Sequence, residues 1–295
     1  MNTNPVLKKL GFSDTDRIAI IHTDDIGMCQ ATVTAYDELV QYGLISSAAV
    51  MAPCAWFPLA AQYCRDHADQ VDMGVHLTLN AEYEYYRWGP LSTRDPQTGL
   101  MDADGYLHSL SEPTQQHADQ AAVHRELETQ VEMVLRSGIQ ATHVDTHMGT
   151  VAHPKFMGSY LQMGMQYRLP MMMLRFNASQ WMQMGLDAEG AAAAEQMVSM
   201  LEEQGIPLLD NISMMPLDTP ENRLQRTMKA LDDLPAGITH FIIHPAADGA
   251  EIRGIAPDWA CRVADHQTWK MDELRAHIKN CGIHVIGYRQ LKELM

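Results

Sequence analysis

Two carboxylates stand side by side, Asp24 and Asp25, in the stretch Arg-Ile-Ala-Ile-Ile-His-Thr-Asp-Asp-Ile-Gly at residues 17–27. Neighbouring carboxylates repel, so ionising both needs a compensating cation or a shared proton. A metal ion is such a cation, with one aspartate as ligand and the other free to handle protons. Two acids in a solvated turn are the plainer alternative for so short a motif. Further residues of the same chemical kind follow downstream. His76 lies in Gly-Val-His-Leu-Thr-Leu, and His143, Asp145 and His147 occupy alternate positions. Arg175 follows an apolar run, and His244 ends Phe-Ile-Ile-His-Pro. Alternation along a strand points His143, Asp145 and His147 to one face. Such a row is costly to bury without partners, so it is either a hydrogen-bonded network or part of a metal site. Taken singly, His76 reads as a hydrogen-bonded core histidine more readily than as a ligand, Arg175 as a surface charge and His244 as a capping or exposed histidine.

The elements that must position these groups alternate between strand and helix. Ile18 to Ile21 form a continuous apolar run, the mark of a strand buried on both faces, and Gly27 lets the chain turn into a helix over Ala31 to Tyr42 that Gly43 ends. Further strands are expected at 46–52, 71–79, 141–146, 171–176, 207–210, 238–244 and 284–286. Helices are expected at 56–67, 120–137, 154–166, 188–204, 220–233, 256–263 and 270–280. The stretch from Asn80 to His117 lacks a clean period and is far longer than an ordinary connection. The expectation is an α/β fold: one domain over residues 1–295, a (β/α) barrel-like sheet of about seven or eight mostly parallel strands, incomplete or distorted, with a loop insertion at about 80–118. Asp24, Asp25, His76, His143, Asp145, His147, Arg175 and His244 then all fall at the C-terminal ends of strands, and in a parallel barrel those ends converge on one rim. Independent solvated loops would scatter them over both rims.

Composition sets the limits. A formal charge of −16 argues against nucleic acid or an anionic membrane as partner. No apolar run approaches the ~20 residues that span a bilayer, and residues 1–16 carry no signal-peptide core, so a cytoplasmic location is expected. The 5 cysteines are odd in number and unpaired in spacing, which suggests neither a disulfide framework nor a cysteine zinc site. A homodimer is left open.

Taken together, the motifs resemble those of the YdjC-like (ChbG/HpnK) carbohydrate deacetylases, relatives of the polysaccharide deacetylases. The matching pieces are Asp24-Asp25-Ile26-Gly27, Gly-Leu-Ile-Ser-Ser at 43–47, Gly74 to Leu79, Thr142 to His147, Leu174-Arg175, Phe241 to Pro245 and Gly282 to Ile286, in the family's order. The resemblance implies a barrel-like fold and metal-dependent hydrolysis of an N-acetyl group on an amino sugar. Carried over by position, it makes Asp25, His76 and His147 the metal ligands, Asp24 the base and His244 the acid. His22-Thr23 stands where the family often has Asn-Ala, and Met-Gly-Thr follows His147 where many members carry further histidines.

The chemistry expected is an amide opened by water beside one divalent cation, zinc or magnesium first and manganese or cobalt as other occupants. Arg175 is expected to hold Asp24 ionised, Asp145 to receive a histidine N–H, and His143 to serve structure. Tyr83, Tyr85, Tyr86 and Trp88 follow the third strand, where aromatic faces could pack on a sugar ring or anchor the loop. Two alternatives remain beside an N-acetylated sugar as substrate: an amidase or esterase acting on a non-sugar metabolite, and a carbohydrate-binding protein without turnover.

Overall fold

The computed structural model describes residues 3–295. Seven strands form one curled sheet: β1 (Arg17–Ile26), β2 (Ser47–Val50), β3 (Met73–Leu77), β4 (Val144–Thr146), β5 (Asn211–Met214), β6 (Gly237–Ile243) and β7 (Ile283–Val285). Their order is β4-β3-β2-β1-β6-β5, with β7 also on β1, and every ladder is parallel. Helices connect them, as parallel strands require. β1 and β6 are buried almost end to end, which is why they read as unbroken apolar runs. β1 carries the most pairing. β6 runs along one edge, while β7 takes residues 17–19 and β2 takes 22–26 of the other.

Between β4 and β5 the sheet stays open, and an extended segment spans the gap through two single parallel bridges, Val144 to Met171 and Leu174 to Leu209. The strands expected at 171–176 and 207–210 are this spacer. Residue 170 is proline and offers only its carbonyl, which accepts from Val144 N, and the ladder strand begins later, at Asn211. The helix expected at 256–263 starts at Trp259, after Pro257, and a separate turn of helix, Ala250–Ile255, precedes it. The architecture is a distorted (β/α) barrel, in keeping with the expected class.

The 80–118 stretch has little regular structure apart from a 3-10 turn, Pro96–Thr98, and a helix, Ser111–His117. It is nonetheless anchored. Leu79, Ala81, Trp88, Leu100 and Leu107 are buried in the main core, and the Trp88 indole donates to Asn80 O at 2.8 Å. The wholly buried Glu126, on helix Gln120–Arg136, accepts from Leu91 N at 3.0 Å and Ser92 N at 2.8 Å. Replacing Glu126 by Ala leaves those N–H groups without their acceptor. The expected cost is roughly 2–6 kcal/mol, since each of the two buried donors left without an acceptor costs about 1–3 kcal/mol. Urea denaturation should read that loss, and limited proteolysis should cut near Leu91 faster than in the wild type.

Candidate metal centre

The centre begins with an irregularity in β1. Between Thr23 and Ile26 that strand advances three residues while β2 advances two, from Ala48 to Val50, and Asp25 takes a left-handed φ of 64°. This is a bulge, which re-aims side chains next to it. In a regular strand Asp24 and Asp25 would point to opposite faces. Here both carboxylates face the same buried cluster. Aspartate is among the few non-glycine residues that tolerate this conformation, and the strain, about 1–3 kcal/mol for such a residue, is spent on bringing two acids together.

Asp25 divides its oxygens. Oδ2 accepts from the Arg262 guanidinium at 2.7 Å. Oδ1 lies 3.4 Å from His76 Nε2 and 3.2 Å from His147 Nδ1, yet it is buried with no hydrogen bond. The three atoms of Asp25, His76 and His147 all fall within 4.8 Å of one another. The far nitrogen of each imidazole is held by a carboxylate, His76 Nδ1 by Asp145 at 2.9 Å and His147 Nε2 by Glu82 at 2.9 Å. Carboxylates behind histidines orient metal-binding rings, and an orphaned carboxylate oxygen between two ring nitrogens is the arrangement a divalent cation completes. The residues fit a metal. A second set within the same reach, His22, Asp24, Asp145 and His240, fits less well, because His22 already bonds Asp24 at 2.7 Å and His240 bonds Tyr288 at 3.0 Å.

Electrostatics follow from burial. Burial pushes the Asp25 carboxyl up, but the Arg262 charge and the rings of His147 and His76 hold it well below the ordinary range. Burial likewise opposes the ionised Asp24, and the positive character of His76 and His22 outweighs it, so Asp24 is also held low. Burial works against a charged His147, but Glu82 and Asp25 raise it to about 9. His76 lies well above its usual value, with Asp145 and Asp24 overcoming burial. His244 is lowered because burial exceeds the pull of Asp24 and Asp25. Its Nε2 sits 3.7 Å from Asp24 Oδ2 while Nδ1 is buried without a partner, and its backbone N–H donates to Asp265.

Asp24, Asp25, Asp145, His76, His147 and His244 are therefore gathered at one rim. Arg175 is not brought there. It pairs with Glu202 at 2.7 Å and Asp210 at 3.3 Å, and Asp210 accepts from Ile238 N at the start of β6. At about 3.3 Å per residue that is roughly 17 Å from the Ile243 end beside the centre. The buried cation at the carboxylates is Arg262 instead, which also binds Asp258 and Tyr83. Nothing in the sequence marks it out from the other arginines on amphipathic helices. Glu82 was equally missed, although its place just past the third strand was a usable signal.

A cleft of about 1020 Å³ opens over the centre, lined by Asp24, His147, His244, Tyr83, Tyr85 and Trp259 among others. Tyr86 and Trp88 do not line it. Tyr86 donates to Met28 O at 2.7 Å, and Trp88 stands behind His147 with ring centroids 6.4 Å apart.

The sequence signature of the YdjC-like proteins matches residues 18–280. The chain belongs to the YdjC-like family. Among YdjC-like relatives, a protein named carbohydrate deacetylase from Thermus thermophilus is 28% identical over 291 residues, covering 98% of this chain and 99% of its own. One of the same name from Thermoanaerobacter pseudethanolicus is 23% identical over 278 residues, covering 92% and 98%. A crystal structure from Enterococcus faecalis, named for cellobiose-phosphate cleavage, superposes with a TM-score of 0.74 at 20% identity over 94% of this chain and 99% of that one, a likeness of fold. Among the described residues no helix is long and apolar enough to cross a membrane.

The raised histidines give the centre a measurable signature. Below about 9 the metal-free protein carries a proton on His147, and His76 is likewise held well above its ordinary value, so a cation must displace protons from both rings. Calorimetry at pH 7 in buffers of different ionisation enthalpy should count about two protons released per cation, fewer as the pH rises through about 9. The ion pairs of His147 stabilise the metal-free fold fully below its ordinary 6.5 and cease to do so as pH climbs through about 9. The thermal midpoint of the apoprotein should accordingly decline across that window.

Proposed function

We infer that the protein is a metal-dependent hydrolase that removes the N-acetyl group from an amino sugar or N-acetylated oligosaccharide of the chitooligosaccharide kind. The observation that carries this reading is the orphaned Asp25 Oδ1 between His76 and His147, with Asp24 Oδ2 beside it, 3.8 Å from His76 Nε2. The names of the full-length relatives point to the same class of reaction. A divalent cation held by Asp25, His76 and His147 would polarise the acetyl carbonyl and lower the pKa of water. Two imidazoles and one carboxylate favour zinc, with magnesium, manganese or cobalt as the other occupants.

The chain's own groups do the rest. Asp24, kept ionised and facing the cleft, takes the proton from the attacking water. Arg262 occupies the outer oxygen of Asp25, which fixes the direction in which Oδ1 points. His244 carries the proton to the departing amine, and the carboxylates of Asp24 and Asp25 favour its charged form when it holds one. The sugar would lie along the cleft wall, where Trp259, covered on one face by Arg253 at 4.3 Å, and the exposed Tyr85 offer aromatic surface to ring C–H groups.

The test is acetate release from a panel of N-acetylated sugars, with and without chelator. Wild-type protein should release acetate and lose that activity with the metal. Asp24→Asn should retain the metal and lose at least about a hundredfold in kcat, the scale for a general base. Absence of acetate from metal-loaded protein across the panel would overturn the reading, and normal turnover by Asp24→Asn would remove Asp24 from the proposed role.

A further inference from the structure

The end of the barrel opposite the metal centre holds a second convergence of ligand-type atoms, on residues that the hydrolytic reading does not use. Asp232 closes the helix Arg223–Asp232, while His277 lies in the last turn of the helix Asp272–Asn280 and Cys281 caps it. The i, i+4 spacing brings His277 and Cys281 to one face of their helix, and that face meets the end of the other. His277 Nε2 lies 3.0 Å from Asp232 Oδ1, Cys281 Sγ lies 3.0 Å from the same oxygen, and Sγ and Nε2 are 3.3 Å apart. The triangle is held from behind. Arg17, the first residue of β1, donates to the backbone carbonyls of both Asp232 and Cys281, which fixes the two helix ends side by side. Arg17 is paired with Gly237 of β6 and Ile283 of β7, so the cluster lies at the N-terminal ends of these strands. The 7 residues of β6 span roughly 20 Å at about 3.3 Å per residue, which keeps the cluster apart from Asp25 and its partners.

Hydrogen bonds alone do not fill this triangle. Each of its edges needs a proton, and the thiol and Nε2 carry at most one each. Asp232 brings none, because the hydrogen bond from Cys281 and the positive character of His277 and Arg17 hold its carboxyl below the usual range. A cation placed among the three atoms contacts them all. A thiol beside an imidazole is also the pairing of a cysteine nucleophile, but there the orienting acid takes the second ring nitrogen. Here acid and thiol share Nε2, and the hydrogen bond to Asp232 pushes the thiol up rather than down. The atoms converge on a point instead of forming a chain. In a tetrahedral site with bonds of about 2.0–2.3 Å, neighbouring donors stand roughly 3.3–3.7 Å apart, so the triangle has to open by only about half an ångström.

We propose that Asp232, His277 and Cys281 form a second metal site, which takes a borderline divalent cation of the zinc kind and clamps the two helices together at the end of the barrel away from the cleft. On binding, the Cys281 thiol proton leaves to solvent, and a neutral His277 ring carries its proton on Nδ1, so that Nε2 turns its lone pair to the cation. Thiolate and carboxylate together balance the two charges of the cation. Sulfur, nitrogen and oxygen donors in one set favour zinc over magnesium or calcium, which prefer oxygen alone. The Asp232 side chain is 51% exposed and that of His277 22%, so the cation enters from solvent, which also supplies water as the fourth ligand. The role is structural. The two helices lead into β6 and β7, both of which pair with β1, and residues at this end of a parallel barrel serve stability. A single cysteine, with one partner a helical turn away and the other on a different helix, has none of the paired spacing that marks cysteine zinc sites in a sequence.

The test titrates cobalt(II) into the full-length chain after treatment with chelator, with a phosphine as reductant so that no other thiol is added. Asp25, His76 and His147 include no sulfur, so a thiolate-to-cobalt charge-transfer band in the near ultraviolet reports the second site and not the first. The expectation is a band that saturates at about one cobalt per chain, vanishes in Cys281→Ser, and needs at least about tenfold more cobalt in His277→Ala and in Asp232→Asn. Backbone hydrogen exchange reads the clamp: with metal present, amides of residues 272–283 should exchange at least about tenfold more slowly in the wild type than in Cys281→Ser. No band in the wild type, or a band that survives Cys281→Ser, overturns the site. A band formed as readily in either His277→Ala or Asp232→Asn as in the wild type means an isolated surface thiol, and the site is wrong. Equal exchange in the two metal-loaded proteins overturns the clamp.

Discussion

The structure depends on a balance of buried charge. Asp24, Asp25, Asp145 and Glu82 converge on a region from which water is largely excluded, and an unpaired buried carboxylate costs several kcal/mol. What makes the convergence tolerable is the set of cations and donors threaded between them: Arg262 on Asp25, His76 between Asp145 and the aspartate pair, His147 between Glu82 and Asp25. The compensation is incomplete at two carboxylate oxygens, Asp25 Oδ1 and Asp145 Oδ2. Of these, Asp25 Oδ1 lies between two ring nitrogens, the arrangement a divalent cation completes. The orientation of both imidazoles, each held from behind by a carboxylate, keeps the remaining nitrogens aimed at that point.

That balance constrains the scaffold. Two consecutive residues can present acids to one spot only if the strand departs from alternation, hence the bulge at Asp25 and its left-handed backbone. The irregularity lies within the β2 ladder and beyond Thr23, the last residue that β6 pairs, so only one neighbouring strand has to accommodate the extra residue. The long 80–118 stretch belongs to the same arrangement. Its first residues deliver Glu82 behind His147 and Tyr83 onto Arg262, and Glu126 and Trp88 pin the remainder so that those deliveries hold. A loop of this length is costly to order unless its backbone is tied at several points.

Much of this was legible in the chain. Asp24-Asp25-Ile26-Gly27, His76, His147 and His244 were found because each falls at the expected C-terminal end of a strand, and strand ends of a parallel sheet share a rim whatever their separation in sequence; their separate roles came from the family resemblance. The strands at 171–176 and 207–210 were misjudged because composition reports burial, while pairing depends on neighbours, and this segment has only single bridges to offer. Arg175 was assigned to the centre from its place at the end of an apolar run and from the Leu174-Arg175 match, yet the gap in the sheet carries it toward the base of β6, to Asp210 and Glu202. Arg262 reaches the aspartates from a helix more than two hundred residues away in sequence, and no local pattern distinguishes an arginine that will be buried from one that will be solvated. The aromatic cluster divided in a way that sequence could not anticipate: Tyr83 and Tyr85 face the cleft, while Tyr86 and Trp88 turn inward as packing.

His143 shows what a wholly buried imidazole demands of the fold around it. Alternation with Asp145 and His147 pointed it inward, and burial without charge made it look like filler. Yet an imidazole that is only filler is a poor choice for a wholly buried site, because both ring nitrogens demand partners and an apolar side chain of similar volume would pack at lower cost. Its partners form two continuous directions, toward Asp24 through His22 and toward Asp72 through Thr142. Packing alone would be served by any ring that fills the space against Gly74 and Tyr288. A ring with a nitrogen at each end needs a polar partner at each end, and His22 and Thr142 supply them, so His143 ties the floor of the metal centre to the start of β3 through Asp72.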